Sequence, residues 1–396
     1  MHKHIIVIGA GIIGLATAYK LLLNQHTKQV TILEKESEIA QHQSSRNSGV
    51  LHAGLYYKPG SLKAILATSG IKEMIQFCIE NDIKHEVCGK IVVASKESEL
   101  EMLNQLYENG MTNGLTGLKK LDREEMQIRE PFVEGIAALL VPEEGVVNYE
   151  EVCTKLRHLI IEMGGVIRTK FQVTKATYNK KWSIESKNAD HITADFVINC
   201  AGLYSDKIAK IFGVQSNITI IPFRGHYYRV VGKAQNYVKG LVYPVPDPKF
   251  PFLGVHFHKK IDGSTEAGPN AVLAFSREGY KMSTIKFSEL YESIFHPGLV
   301  KFLMRNKKTV FDELRSGVDK TYFTSRLKSL IPKIESSDLT AGGSGVRAQA
   351  MDQNGNLVND FVINKSENSL HVINAPSPGA TASLAIASYI INQLPE

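Results

Sequence analysis

His4-Ile5-Ile6-Val7-Ile8-Gly9-Ala10-Gly11-Ile12-Ile13-Gly14 is the stretch from which the chain is read. His4 to Ile8 form a short apolar strand. Gly9 to Gly14 spell G-x-G-x-x-G, and Leu15 to Leu23 continue at helical spacing. Val30 to Leu33 make a second apolar strand, ending in Glu34 and Lys35. Each part has a physical task. Gly9 permits the tight turn, Gly11 lets a pyrophosphate approach the backbone, and Gly14 lets helix and strand pack closely. The helix N-terminus offers free N–H groups and a partial positive charge. Glu34, twenty residues after Gly14, is placed to accept from ribose hydroxyls. A targeting segment is the competing reading, with a basic Met1 to His4, an apolar Ile5 to Leu15 and a small-residue Ala16-Thr17-Ala18. Cleavage there would discard a complete nucleotide fingerprint, and Gly9, Gly11, Gly14 and Lys20 spoil the run as a membrane span. Taken alone, the fingerprint fits NAD as well as FAD.

The bulk numbers narrow the class. The 396 residues suggest two or three domains, and 43% hydrophobic content supports a large core. The net charge of +6 is spread among 40 acidic residues with no dense basic run, which argues against nucleic acid. It suits an anionic substrate or loose contact with an anionic membrane surface. Cys78, Cys88, Cys153 and Cys200 form no C-x-x-C, so no zinc or redox dithiol is indicated and buried reduced thiols are expected.

Downstream, Ser44-Ser45-Arg46-Asn47-Ser48 and Gly49 to Tyr57 are rich in donors and glycine, as suits backbone wrapped round a ligand. Helices are expected over Lys63–Asn81, Glu97–Asn109, Leu121–Glu130 and Tyr149–Met163, the last capped by Asn148. Strands are expected over Val87–Ala94, Gly135–Val141, Val166–Thr169, Phe171–Tyr178, Trp182–Ser186, His191–Thr193 and Phe196–Asn199. From Ile218 to Phe275 the texture becomes an antiparallel sheet, with His226–Val231, Leu253–Lys259 and a proline-rich turn from Tyr243 to Pro248. A helical stretch follows from Phe287 to Leu314, broken near Pro297, and a last helix runs from about Ala380 to Leu394. The class is α/β. A discontinuous Rossmann-like nucleotide domain over 1–86, 146–218 and 336–396 is expected, with an inserted antiparallel-sheet plus helix substrate domain over 87–145 and 219–335.

These segments together carry a family resemblance. The N-terminal fingerprint, Ser44 to Gly49, Asn199-Cys200-Ala201-Gly202 and Pro376-Ser377-Pro378-Gly379-Ala380-Thr381 resemble the FAD-dependent oxidoreductases of the D-amino-acid oxidase type. Within them, Ser48 to Tyr57, Pro222-Phe223-Arg224-Gly225, Tyr243 to Gly254 and Gly345-Val346-Arg347-Ala348-Gln349 look closest to the L-2-hydroxyglutarate oxidases and dehydrogenases. One departure is His226, where that family often has Glu after Arg-Gly.

The resemblance implies FAD, its adenosine and pyrophosphate over Gly9 to Gly14, Glu34 and Lys35. Ser45, Arg46, Asn47 and Ser48 would run along the pyrophosphate and ribityl chain. Val173 would cover the adenine. Ala201, Gly202, Gly345, Gly379, Ala380 and Thr381 would approach from the other side, and N–H groups of the last helix, beginning near Ala380, would face the flavin. It further implies hydride transfer from Cα of L-2-hydroxyglutarate, yielding 2-oxoglutarate, with electrons passed to oxygen or a membrane quinone.

That chemistry needs a cation for the carboxylate and a base for the hydroxyl proton. Arg347 and Arg224 are the cation candidates, because a guanidinium binds a carboxylate in a fork; a surface or interdomain salt bridge is the blander role. His52 is the first choice of base and His256 the second. Tyr57 and Tyr243 are candidate donors, although tyrosines usually pack. Covalent flavin attachment through His52 is a weaker option. The rivals are oxidation of another small anion, such as glycerol 3-phosphate, another 2-hydroxy acid or an amino acid, and a non-catalytic flavin protein. A cytoplasmic chain is expected, with any membrane contact peripheral.

Overall fold

The computed structural model describes residues 3–247 and 254–395. Pro248 and Leu253, with the rest of that part of the Tyr243–Gly254 segment, lie outside the described residues, as do Met1 and His2. The strand His4–Ile8 sits in the middle of a six-stranded sheet. The order runs Val362–Lys365, Ser369–Asn374, Phe196–Asn199, His4–Ile8, Gln29–Leu33, Val166–Arg168. All neighbours are parallel except the Val362–Lys365 edge. A parallel sheet is covered on both faces, so its strands carry apolar residues in both phases of the pleat. Ile5 and Val7 pack with the helices Ile12–Leu23, Leu62–Glu80, Tyr149–Glu162 and Ser383–Ile391. Ile6 and Ile8 pack the other way, with Trp182 and Ile184 of a three-stranded antiparallel sheet and with Phe212 after the helix Ser205–Ile211.

A second, nine-stranded sheet stands beside this layer. It runs Val272–Leu273, Ile218–Val230, Thr265–Gly268, His256–Lys259, Leu241–Pro244, Lys90–Ala94, Ala137–Val141, Lys119–Leu121, and Leu339–Asp352 also pairs along Ile218–Val230. It is antiparallel but for one pair, since Leu241–Pro244 runs parallel to Lys90–Ala94. The expected boundary at 336 cuts through this sheet: Leu339–Asp352 is bonded to Ile218–Val230, so the chain rejoins the nucleotide layer only afterwards.

Most expected elements lie where the spacing puts them, and the differences have local causes. The strand expected over Val87–Ala94 starts later, at Lys90–Ala94, and the residues just before it, His85–Glu86, join a small sheet with Val50–Leu51 and Gly145–Val147. Gly89, at φ +74°, makes the break. The Phe287–Leu314 stretch is three helices, Phe287–Ile294, Pro297–Arg305 and Lys307–Val318, followed by Lys320–Leu327. Cys78, Cys153 and Cys200 are buried and Cys88 is half-buried; all four are free, and burial raises every thiol. Among the described residues, no helix is long and apolar enough to cross a membrane.

Candidate active site

A cleft of about 1470 Å³ runs between the two large sheets. Its first end is the glycine turn. A Cβ on Gly14 would stand 1.9 Å from the Gly9 carbonyl oxygen, and one on Gly9 would stand 2.6 Å from the Cys200 oxygen. Helix and strands therefore meet at backbone distance, and Gly9 and Gly11 line the cleft. Glu34 is buried, and its carboxylate accepts from the N–H groups of Ala10 (2.7 Å) and Glu36 (2.9 Å). Lys35 also borders the cleft, its ammonium ion-paired with Glu36 and Glu278. Glu36, His42 and Glu278 converge as three potential metal ligands, but the Lys35 ammonium contacts all three, so the cluster already holds a cation.

The loop after Glu34 lies along one wall. Ser44 is buried there, and its hydroxyl accepts from the Ile12 N–H at 2.9 Å. Ser45 is turned out: its hydroxyl donates to the Ala40 carbonyl at 2.6 Å, and it does not line the cleft. The serine at the helix start is thus Ser44 rather than Ser45, because these neighbours point to opposite sides of the turn. Arg46 places its guanidinium 4.1 Å from the centre of the Tyr280 ring. Asn47 spends its amide on the Gln43 and Ser44 carbonyls and its oxygen on the Gly49 N–H, which fixes the loop shape. Ser48 completes this wall.

Val173, Ala201, Gly202, Gly345, Gly379, Ala380 and Thr381 all border the same cleft. A Cβ at Gly345 would meet the Arg46 carbonyl at 2.4 Å. The last helix starts at Ser383, three residues later than expected, and residues 375–381 form turns along the cleft. Thr381 Oγ1 accepts from the His52 N–H at 3.2 Å and lies 2.7 Å from the Tyr149 hydroxyl.

His52 marks the second end. Its Nδ1 stands 3.5 Å from Glu144 Oε2, and that oxygen is 2.7 Å from Lys90 Nζ. The Lys90 contact is close but not aligned for a linear hydrogen bond. Glu144 Oε1 accepts from the Ala53 N–H at 3.1 Å. Burial would raise the Glu144 carboxyl, but the Lys90 ammonium and His52 outweigh it and hold it at about 2. Burial lowers Lys90, with Glu144 offsetting part of the shift. The Lys90 ammonium also lies 4.4 Å from the Tyr56 ring centre and 5.2 Å from that of Tyr243.

The roof comes from the nine-stranded sheet. His256 stacks on Tyr243 with ring centres 3.8 Å apart, and its Nδ1 lies 3.0 Å from the Gly254 carbonyl. Burial drives His256 well below its ordinary value, so it is neutral. Tyr57, Tyr227 and Tyr243 are pushed up by burial and stay protonated donors. Arg347 lines the cleft with them; burial lowers it, yet a guanidinium keeps its charge there.

Arg224 is not part of this group. It is buried but absent from the cleft lining, and its guanidinium meets the Met282 sulfur. The pleat explains this. Gly225 and Tyr227 face the cleft, so Arg224 between Phe223 and Gly225 points away. The register pairs Arg347 with Phe223 and Arg224 with Val346, which sets the two arginines in opposite phases. His226 is similarly outside the cleft lining, and burial lowers it to about 4.

Two residues of this site were not legible in advance. Lys90 is a lone charge in the apolar strand Lys90–Ala94, and Glu144 sits in the polar turn before Gly145–Val147. A charge inside a buried strand is a usable signal, since lysine is rarely buried without a partner.

The cleft fits an extended dinucleotide by its own geometry. Gly9, Gly14 and Gly345 stand where a Cβ would strike backbone, and the walls supply a carboxylate at one end and Arg347 with several tyrosines at the other. Its volume exceeds that of an ordinary small-ligand site, leaving room for a cofactor and a small substrate together.

Comparisons with known proteins agree. The family model described as FAD dependent oxidoreductase matches residues 4–393. L-2-hydroxyglutarate dehydrogenase of Indibacter alkaliphilus is 46% identical over 391 residues, covering 98% of both chains. The mitochondrial L-2-hydroxyglutarate dehydrogenase of Homo sapiens is 39% identical over 407 residues, covering 98% of this chain and 88% of that protein. Among solved structures, the dithionite-reduced L-alpha-glycerophosphate oxidase of Mycoplasma pneumoniae with FAD bound superposes with a TM-score of 0.79 at 22% identity. It covers 99% of this chain and 94% of that one.

Proposed function

Because the chain belongs to the FAD-dependent oxidoreductase family, we propose that its cleft oxidises L-2-hydroxyglutarate to 2-oxoglutarate. The observation that carries this reading is the 46% identity, over 98% of both chains, to a protein named L-2-hydroxyglutarate dehydrogenase. FAD is the cofactor and a 2-hydroxy acid the substrate class. Gly9, Gly11, Glu34, Ser44, Ser48, Val173, Gly202 and the 375–381 turns would hold FAD, and Lys35, Ala201 and Gly345 border the same groove. Bound there, FAD supplies the two-electron acceptor.

The remaining steps belong to this chain's residues. Arg347 takes the substrate carboxylate in a fork, because it lines the cleft beside Tyr227 and Tyr243 and a guanidinium matches a carboxylate with two parallel hydrogen bonds. Tyr57, Tyr227 and Tyr243 are neutral donors, able to hydrogen-bond the second carboxylate or the 2-hydroxyl. His52 is the base. Glu144 Oε2 stands 3.5 Å from its Nδ1, longer than a formed hydrogen bond but near enough for the carboxylate to favour the tautomer with the proton on Nδ1, which leaves Nε2 as the acceptor. The hydroxyl proton passes to Nε2, the C2 hydrogen leaves with its electron pair, and the C2–O bond becomes a carbonyl. Lys90 keeps Glu144 ionised and so maintains that tautomer. His256 is neutral, and with Nδ1–H given to the Gly254 carbonyl its Nε2 is a second possible acceptor.

Electrons leave to oxygen or to a membrane quinone. The test is an anaerobic titration of the purified yellow protein with L-2-hydroxyglutarate, followed by oxygen or a quinone. Bleaching of the flavin absorbance by L-2-hydroxyglutarate is expected. Turnover of glycerol 3-phosphate or an amino acid, with none of L-2-hydroxyglutarate, overturns the substrate assignment.

A further inference from the structure

The helices Phe287–Ile294 and Lys307–Val318 are inside out. In the first, the buried residues are Glu289 and Ser293; in the second, Glu313 and Ser316. Both inward carboxylates are held by hydrogen bonds to the body of the protein. Glu289 accepts from the Arg277 N–H (2.7 Å) and the Tyr204 hydroxyl (3.0 Å). Glu313 accepts from the Ala271 N–H and from Arg326, each at 2.7 Å. The apolar side chains face outward instead. Phe287 is 81% exposed and Val318 75%, with Tyr291, Phe295, Met304 and Phe311 also exposed. Phe287, Tyr291, Ile294 and Phe295 form one stripe at helical spacing, as do Phe311, Leu314 and Val318. Eleven of the twenty-one large apolar side chains exposed among the described residues fall between Met282 and Val318. An apolar surface this concentrated marks an interaction site.

The charge around the patch selects the partner. Lys301, Arg305, Lys307 and Lys308 are exposed on or beside the same helices. Three of the four acidic residues of this segment are turned in or ion-paired: Glu289 and Glu313 are buried and Glu292 is paired with Lys207, while Asp312 is half-buried and accepts from the Tyr322 hydroxyl. A second copy seated on the same patch would set these cations against one another, because a two-fold interface meets itself. An anionic bilayer matches both features, since aromatic and aliphatic side chains enter the headgroup boundary while lysines and arginines meet lipid phosphates. We infer that residues 282–318 form a docking platform for an anionic lipid surface, lying in the interface without spanning it.

The test uses the holoenzyme and vesicle flotation. Wild-type protein should float with vesicles containing phosphatidylglycerol at least fivefold more than with pure phosphatidylcholine, and high salt should reverse much of that binding. The triple variant F287S/F295S/F311S should lose flotation. So should the charge reversal K301E/R305E/K307E/K308E, which keeps the apolar face. Both variants should retain wild-type turnover with an artificial electron acceptor, because none of the changed residues lines the cleft. Equal flotation on neutral and anionic vesicles, or unchanged flotation of both variants, overturns the proposal. It is also overturned if the wild type ignores vesicles and forms a dimer that the triple variant dissolves. Turnover on any substrate serves as the activity control, so failure of the substrate assignment leaves the vesicle result readable.

Discussion

Glu144 Oε2 faces His52 Nδ1 at 3.5 Å, and the two residues come from different parts of a small sheet in which Val50–Leu51 pairs with Gly145–Val147. The pairing aims an acceptor at one ring nitrogen and leaves the other toward the cleft. His52→Ala should therefore lower kcat by roughly 10²–10⁴-fold while the protein keeps its flavin. Glu144→Gln should lower kcat by about tenfold or more with a smaller change in KM, and Glu144→Asp should recover part of it. Steady-state kinetics with an artificial acceptor, alongside the flavin-to-protein absorbance ratio, checks both. Full activity of H52A would remove His52 as the base.

The Lys90–Glu144 pair has a stability signature of its own. Removing one member leaves the other buried and uncompensated. Lys90→Met should cost about 3–5 kcal/mol, whereas K90M/E144Q should recover much of that loss. Denaturant melts of the two singles and the double measure the coupling. Additive losses would mean that the contact contributes nothing.

Arg347 and Arg224 give a contrast between two arginines of one strand pair. Arg347→Met should raise KM and reduce kcat/KM by roughly 100-fold or more, since a buried substrate carboxylate would lose its charged partner. Arg224→Met should leave kcat/KM within a few-fold, because Arg224 meets Met282 and faces away from the cleft. Equal losses in both variants would contradict the phase assignment.

His371 makes stability depend on pH. Burial lowers its imidazole to about 4 from an ordinary 6.5, so the folded protein holds it neutral, between Asn199 and Ser369. Between those values the unfolded chain binds the extra proton. Stability is therefore full above about pH 6.5 and falls toward pH 4, by about 3 kcal/mol for this group. His371→Gln should flatten that limb in urea melts taken across the range.

Two glycines of the strand Leu339–Asp352 should rank by what surrounds them, Gly345 in the cleft wall and Gly343 outside it. Gly345→Ala would drive a methyl against the Arg46 carbonyl and should cost about 1–3 kcal/mol along with flavin retention. Gly343→Ala meets nothing within 4 Å and should fall within about 0.5 kcal/mol of wild type. Thermal melts and flavin content, compared side by side, distinguish the two positions.

Local patterns carried much of this architecture. The His4–Ile8 strand, the glycine turn and the Asn148 cap are short-range signals, and the structure has each of them in place. Residues whose meaning depends on long-range register were harder to read. Arg224 stands beside Gly225 and Arg347 two residues after Gly345, and only the pairing of Ile218–Val230 with Leu339–Asp352 shows that they point to opposite sides. Glu144 reads locally as one more acidic turn residue, because its partners are His52, just after Val50–Leu51, and Lys90 of Lys90–Ala94. The inverted helices near Phe287 and Phe311 kept a helical period, which reports that one stripe is apolar but not which way it faces.

The hydrogen bond from the His52 N–H to Thr381 Oγ1 ties together positions 329 residues apart in the sequence. The turns at 375–381 border the groove on one side, and the Thr381 hydroxyl meets the backbone of His52 on the other. One wall of the groove and the support of His52 therefore stand or fall together: a change that displaces these turns disturbs both at once.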